Sequence, residues 1–279
     1  MTPGQLFEDL AASTWRRLAD AYRLRVSQGE TALTDHLLLE MARLEHPGLR
    51  ALKTPIDEEG VKGTDWEWWI GTARVGWLRY AVQAKRVTVA SGRYEALHHV
   101  VGKEHQIDIL RRYATANRAI PLYCFYNFQT SLPTADHWHC ERPLEPDQLG
   151  CSITPLEVVA HALTKRGGRS FDRIHRSTKT FPWRCLVRCP RFIGAFAATA
   201  PEVRAAALGD LEKTFGQQPV VYSTLPRIVE QGASDEGLLT TNDAFDGDFY
   251  DRDAGIYPRR ILVADLEGSD DLGAVRLRA

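Results

Sequence analysis

Apolar residues recur at helical spacing over residues 5–27, where Leu, Phe, Ala and Trp alternate with Glu, Asp and Arg. They do so again over 30–45, where Leu33, Leu37, Met41 and Leu44 fall on one face. Pro47 and Gly48 end this second helix. The period then shortens. Residues 50–56 read as a short extended segment, Asp57–Gly60 as a turn, and two strand-like runs follow. Side chains two apart on a strand share a face, so Asp65, Glu67 and Trp69 lie on one side and Trp66, Trp68 and Ile70 on the other. In the run from Val75 to Val87, Gln83 and Lys85 share a face opposite Leu78, Tyr80, Val82 and Ala84. Gly71 and Gly76 bracket the few residues between the runs, which predicts an antiparallel hairpin with the two polar pairs side by side. After Gly92, residues 94–117 follow a helical pattern with Ile107, Leu110, Tyr113 and Ala114 inward. Residues 120–127, Ile-Pro-Leu-Tyr-Cys-Phe-Tyr-Asn, then read as a short buried strand.

The second half is less regular. A Pro-, Asp- and His-rich connection spans 131–150. Thr154-Pro155-Leu156-Glu157 forms a capping box with proline at the first helical position, which predicts a helix from about residue 155. Strands are predicted at 183–189, 219–223 and 260–265, a helix at 201–215, and an irregular Gly- and Asp-rich loop at 231–256. No internal repeat and no heptad run is present. The pattern predicts an α/β protein. Its residues 1–130 hold the sequence helix, strand, strand, strand, helix, strand behind an N-terminal helix, and 131–279 form an α+β extension that selects substrate or packs on the same sheet.

Composition narrows this picture. The 279 residues are 44% hydrophobic, enough for a substantial core, and the formal net charge of -1 excludes a global basic field, so any nucleic-acid affinity must come from a local patch. No apolar run has the length of a signal peptide or the roughly 18 to 20 residues of a membrane span. Five cysteines form no dense framework, and a reducing cytoplasm is the expected location.

Two carboxylates, an amide and an ammonium on adjacent strands are the groups that hold a divalent metal beside a phosphodiester. On its own such a polar face is most often a solvated one; the flanking Trp66, Trp68 and Trp69 argue instead for a heavily packed hairpin. With the element order, Gly63-Thr64-Asp65 on one strand and Gln83-Ala84-Lys85 on the next resemble the PD-(D/E)xK nuclease superfamily, in particular its restriction-endonuclease-like, Mrr-type branch with Gln-x-Lys. The resemblance covers roughly residues 29–128. It implies a restriction-endonuclease-like core with a central mixed sheet flanked by helices. It implies Mg²⁺ or Mn²⁺ as cofactor, Asp65 as metal ligand, Lys85 as the catalytic lysine and Gln83 at the position usually held by an acid. Glu30, opening the first core helix, is the candidate helix-borne acid, with Asp35 and Glu40 behind it. Glu67 and the Ala84 carbonyl are further candidate ligands, and Gln106, on the second helix, a polar residue that can line the site. Thr64 replaces the proline of the family name, and Gln83 offers only a neutral oxygen.

A basic run supplies the second signal. Lys165, Arg166, Arg169, Arg173, Arg176 and Lys179, followed by Arg184 and Arg188, face a single Asp172, a surface suited to tracking phosphates or merely a solvated face. Phe171, Phe181 and Trp183 within it are expected in the core. His137, His139, Cys140, Cys151, Cys185 and Cys189 raise zinc. With no Cys-x2-Cys pair and Cys185 and Cys189 on a strand pattern, buried free thiols are the stronger expectation, and His98-His99 reads as a helix-surface pair. The leading functional expectation is a metal-dependent DNA nuclease in defence against foreign DNA, such as phage, or in DNA repair. The alternatives are a nuclease-fold nucleic-acid-binding module without catalysis, and an RNA or tRNA endonuclease. A homodimer or a partner defence subunit is compatible with duplex cleavage but has no interface motif.

Overall fold

Thr2 opens the first helix: its hydroxyl accepts the Gln5 N–H while the Gln5 side chain accepts the Thr2 N–H, a reciprocal cap that fixes the start of α1 (Pro3–Leu24). In the computed structural model, which describes residues 1–53, 64–226 and 260–276, α1 buries Leu6, Phe7, Leu10, Trp15 and Leu18. Helix α2 (Glu30–Arg43) buries Leu33, Leu37 and Met41 as its periodicity requires, and leads into β1 (Leu49–Lys53). The turn expected at 57–60, Gly63 and the loop expected at 231–256 lie outside the described residues.

The hairpin forms as read. Strands β2 (Trp66–Thr72) and β3 (Gly76–Arg86) are antiparallel, with Trp66 opposite Val82, Glu67 opposite Ala81 and Trp69 opposite Arg79. The 94–117 helix does not form in one piece. A 3-10 turn at Glu95–His98 and a small hairpin, β4 (Val100–Val101) and β5 (Glu104–His105), precede α3 (Gln106–Ala116). The interruption falls where two β-branched valines meet Gly102, whose φ of 64° is left-handed. Strand β6 (Ile120–Tyr126) then runs parallel to β3.

Strand β7 (Cys151–Pro155) pairs with β6, and α4 (Leu156–Leu163) follows. Pro155 is the residue before the helix, not its first, and the Thr154 hydroxyl is bonded to Thr180, so the predicted capping box is not made. After α5 (Phe171–His175) and β8 (Phe181–Pro182), the stretch predicted as a strand at 183–189 is helical, α6 (Cys185–Arg188), followed by α7 (Pro190–Ala197) and α8 (Pro201–Phe215). Helical spacing there brings Arg184 and Arg188 close enough for both to reach Glu8 of α1, whereas a strand would hold them on one face but about 13 Å apart. Strands β9 (Val221–Tyr222) and β10 (Arg260–Asp265) and helix α9 (Asp270–Arg276) are the last elements among the described residues.

The sheet order is β1-β10-β2-β3-β6-β7-β8, with β9 paired to the start of β3. The fold is α/β with a mixed central sheet: β10 runs antiparallel to β1 and parallel to β2, and β7 and β8 add antiparallel strands at the far side. Strands from beyond residue 130 thus pair directly with those before it. One core packs Trp66, Trp68, Leu78 and Tyr80 against residues of α1, α2, α6, α7 and α8; a second packs Ala81, Tyr123 and Phe125 against α3, α4 and α5. Among the described residues no helix is long and apolar enough to cross a membrane.

Candidate active site

Asp65 stands one residue ahead of β2 and still belongs to the ladder, its N–H donating to the Val82 carbonyl at 2.9 Å. The Thr64 hydroxyl fixes this entry, donating towards the Trp66 and Val82 carbonyls, 3.0 Å from each. Across the hairpin, the Ala84 N–H donates to Asp65 Oδ2 at 2.7 Å, and the Gln83 amide donates to the same oxygen. Burial pushes the Asp65 carboxyl up to about 6; the Lys85 ammonium and the Ala84 N–H pull it back, Glu30 raises it and Arg260 lowers it.

Lys85, on the same face of β3 as Gln83, is buried, with its Nζ 3.5 Å from Glu30 Oε2. Glu30 is the first residue of α2, and its other oxygen accepts the Arg86 N–H at 3.1 Å. The end of β3 and the start of α2 are therefore tied together through one carboxylate. Glu30, Asp65, Gln83, Lys85 and Gln106 line one pocket of about 180 Å³, so five candidates from four parts of the fold converge. The side-chain oxygens of Gln83 and Gln106 are buried without a hydrogen-bond donor, a costly condition for two amides beside one cavity.

The structure does not bring Glu67 to this pocket. Its carboxylate is buried one rung further along the hairpin, where it accepts the Trp69 indole N–H at 2.7 Å, Arg79 Nη2 at 2.7 Å and the Tyr113 hydroxyl at 2.9 Å. Asp35 is paired with Arg260 at 2.7 Å and Glu40 with Arg43 at 3.1 Å. The Ala84 carbonyl lies 3.4 Å from the Gln83 amide nitrogen.

The basic run divides. Lys165, Arg166 and Arg173 are exposed; Arg169 reaches the Glu95 carbonyl, and its own carbonyl accepts the Tyr94 N–H, beside the 3-10 turn whose Ala96 borders the pocket. Arg176 instead pairs with Asp136 and Asp172, and Lys179 donates to the Lys213 carbonyl. Phe171, Phe181 and Trp183 are buried, as expected of core aromatics.

Five further pocket residues had no site role in the sequence reading: Thr31, Thr34, Ala96, His99 and Arg260. Thr34 hydrogen-bonds the Tyr126 hydroxyl at 2.8 Å, His99 closes the 3-10 turn, and Arg260 enters from almost two hundred residues downstream. Arg260 is only 2% exposed and sets a guanidinium near Asp65. Its one sequence signal is position, at the head of the apolar run Ile261–Ala264.

No curated protein and no solved structure matches this chain. A family model does, over residues 3–269, a span that takes in every pocket residue and every strand of the described sheet. The chain belongs to DUF6615, a family of unknown function.

Proposed function

We propose that the chain is a metal-dependent nuclease hydrolysing phosphodiester bonds, with DNA as its substrate, built on a restriction-endonuclease-like core of the PD-(D/E)xK type. The succession α2, β1, β2, β3, α3, β6, interrupted among the described residues by the 3-10 turn and the small β4–β5 hairpin before α3, supports this reading, with β2 antiparallel and β6 parallel to β3 and the acid-then-Gln-x-Lys pair at the same end of the hairpin. The insertion of β10 between β1 and β2 is this chain's own departure, and it delivers Arg260.

One observation carries the proposal: Glu30, Asp65, Gln83 and Lys85 meet at one pocket where two buried amide oxygens have no donor. An all-oxygen set of two carboxylates and two amides suits a hard divalent cation, so the residues fit Mg²⁺ or Mn²⁺. Asp65 and Glu30 would hold it, with Gln83 and Gln106 supplying neutral oxygens. When bound, such a cation neutralises a nonbridging phosphate oxygen and acidifies water. Lys85 supplies a positive charge, positioned by Glu30, for the charge that develops on the phosphoryl group. Arg260, fixed by Asp35, adds a second cation for the incoming phosphate. Arg169 and the exposed basic residues around it extend this surface along a nucleic-acid strand. Defence against foreign DNA, or DNA repair, is the role that such an activity fits.

Cleavage of duplex DNA, single-stranded DNA and single-stranded RNA with Mg²⁺ or Mn²⁺ tests the proposal. Asp65→Asn and Lys85→Ala are each expected to lower the rate by about a hundredfold or more while the circular dichroism spectrum is unchanged. Undiminished cleavage in both variants would remove the assignment, and preference for RNA would change the substrate to RNA or tRNA.

A second reading has its own observation. Asp65 already accepts two internal hydrogen bonds and Lys85 is held by Glu30, so the site is partly satisfied from within, as in a nuclease scaffold retained for binding. Calorimetric titration with Mn²⁺ separates the two: no binding in the native chain, and none gained in Gln83→Glu, favours the binding module.

A further inference from the structure

Three sulfur atoms from two distant segments converge outside the pocket. Cys185 opens the single turn of α6 and Cys189 follows it, four residues apart on one side, with the Cys189 N–H donating to the Cys185 carbonyl at 3.1 Å. Cys140 comes from the irregular connection between β6 and β7, 49 positions before Cys189, and sets its Sγ 3.6 Å from the Cys189 Sγ. All three Sγ atoms lie within 4.8 Å of one another.

The spacing excludes a formed disulfide and leaves two fates for such thiols, an S–H···S hydrogen bond or a shared metal ion. A disulfide needs about 2.05 Å between its sulfurs and joins only two of the three. Thiolates at about 2.3 Å from one zinc ion stand roughly 3.8 Å apart in tetrahedral geometry. The observed 3.6 Å is close to that second figure. Charge agrees. Three thiolates around Zn²⁺ carry a net charge of -1, and Arg184, next to Cys185 in sequence and 1% exposed, lies within electrostatic reach of both Cys140 and Cys189. Its Nη1 is held by Glu8 and Glu145, its guanidinium lies 5.4 Å from the centre of the Trp138 ring, and its Nε and Nη2 have no hydrogen-bond partner.

We propose that Cys140, Cys185 and Cys189 bind one Zn²⁺ ion. Three thiols lose their protons to solvent and three Zn–S bonds form, with water in the fourth position. The ion clamps the 131–150 connection to α6 and α7, beside the core residues Trp183 and Leu186. The site does not depend on the nuclease reading, since none of the three cysteines lines the Asp65 pocket.

Elemental analysis of the full-length protein purified without chelator tests this. About one zinc per chain is expected, retained in Asp65→Asn and lost in Cys140→Ser and Cys189→Ser, with a lower melting temperature in both cysteine variants. Cys140 is half-buried on a loop, so its serine variant should fold. Should it not, metal-stripped wild-type protein reconstituted with Co²⁺ gives an independent answer: thiolate-to-cobalt charge-transfer absorption together with intense tetrahedral d–d bands. A zinc-free protein showing neither feature with Co²⁺ overturns the proposal, as does a peptide map containing a Cys140–Cys189 disulfide.

Discussion

Asp65 and Glu67 are two residues apart on one face, yet their surroundings set them opposite tasks. Glu67 satisfies Arg79, Tyr113 and Trp69 inside the protein, so its removal strands a buried guanidinium. Glu67→Gln is expected to cost about 3 kcal/mol in urea denaturation and to leave Mn²⁺ affinity unchanged. Asp65 behaves in the reverse way. Burial holds its folded-state pKa at about 6, above the value of 3.8 for an unperturbed aspartate, so the folded chain keeps a proton that the unfolded chain releases. Its contribution to stability is therefore complete below pH 3.8 and is lost as the pH rises through 6. Asp65→Asn removes this ionisation: the expected outcome is equal or greater stability at pH 8, by about 1–3 kcal/mol, and a flatter stability profile between pH 4 and 7, together with the loss of cleavage. Residue parity made the shared face of these two acids legible. Their separation depends on the side chains that reach each from neighbouring positions, and nothing in the order of letters marks Arg79, diagonal to Glu67 across the hairpin, and Tyr113 of α3 as its partners.

Elements with a strict period were readable, and those whose period is ambiguous were not. The β2–β3 hairpin was legible because residue parity separates Asp65 and Glu67 from Trp66 and Trp68 and two glycines bracket the turn, and the structure shows why Gly71 is glycine: a Cβ there would lie 2.1 Å from the Gly76 carbonyl oxygen across the hairpin. Since backbone must yield, Gly71→Ala is expected to destabilise the protein by at least about 2 kcal/mol and to lower the melting temperature. A chain of unchanged melting temperature would mean that the turn relaxes freely. Residues 183–189 are the contrasting case. The seven residues Trp-Arg-Cys-Leu-Val-Arg-Cys fit a buried strand or two turns of helix equally well, and the decision came from outside the segment, through Glu8 pairing with Arg184 and Arg188 and through Pro190 starting the next helix. The misread strand also hid the thiol cluster: a strand would hold Cys185 and Cys189 on one face but about 13 Å apart, whereas one helical turn shortens that separation to about 6 Å.

At the scale of the whole molecule the decisive event is the placement of β10. The run Arg260–Asp265 was recognisable as a strand, and four consecutive buried apolar residues marked it as an interior one, but sequence adjacency cannot say which strands it separates. Its position between β1 and β2 makes the division at residue 130 costly to realise in isolation. Among the described residues β1 pairs with β10 alone, so a chain ending at residue 226 leaves β1 without a ladder. It also turns β2, which carries Trp66, Trp68 and Ile70, into an open edge. The sheet loses Arg260 from the pocket at the same stroke. Chains 1–226 and 1–130 are both expected to be aggregated on size-exclusion chromatography and to show no cooperative thermal transition, whereas the full chain unfolds in one transition that coincides by tryptophan fluorescence and circular dichroism. A soluble 1–130 chain that melts cooperatively would establish an autonomous first domain and reduce β10 to a peripheral addition. If the truncated chains fail as expected, the last strand is as much part of the site's scaffold as the hairpin, because the sheet that positions Asp65 closes only when residues 260–265 are in place.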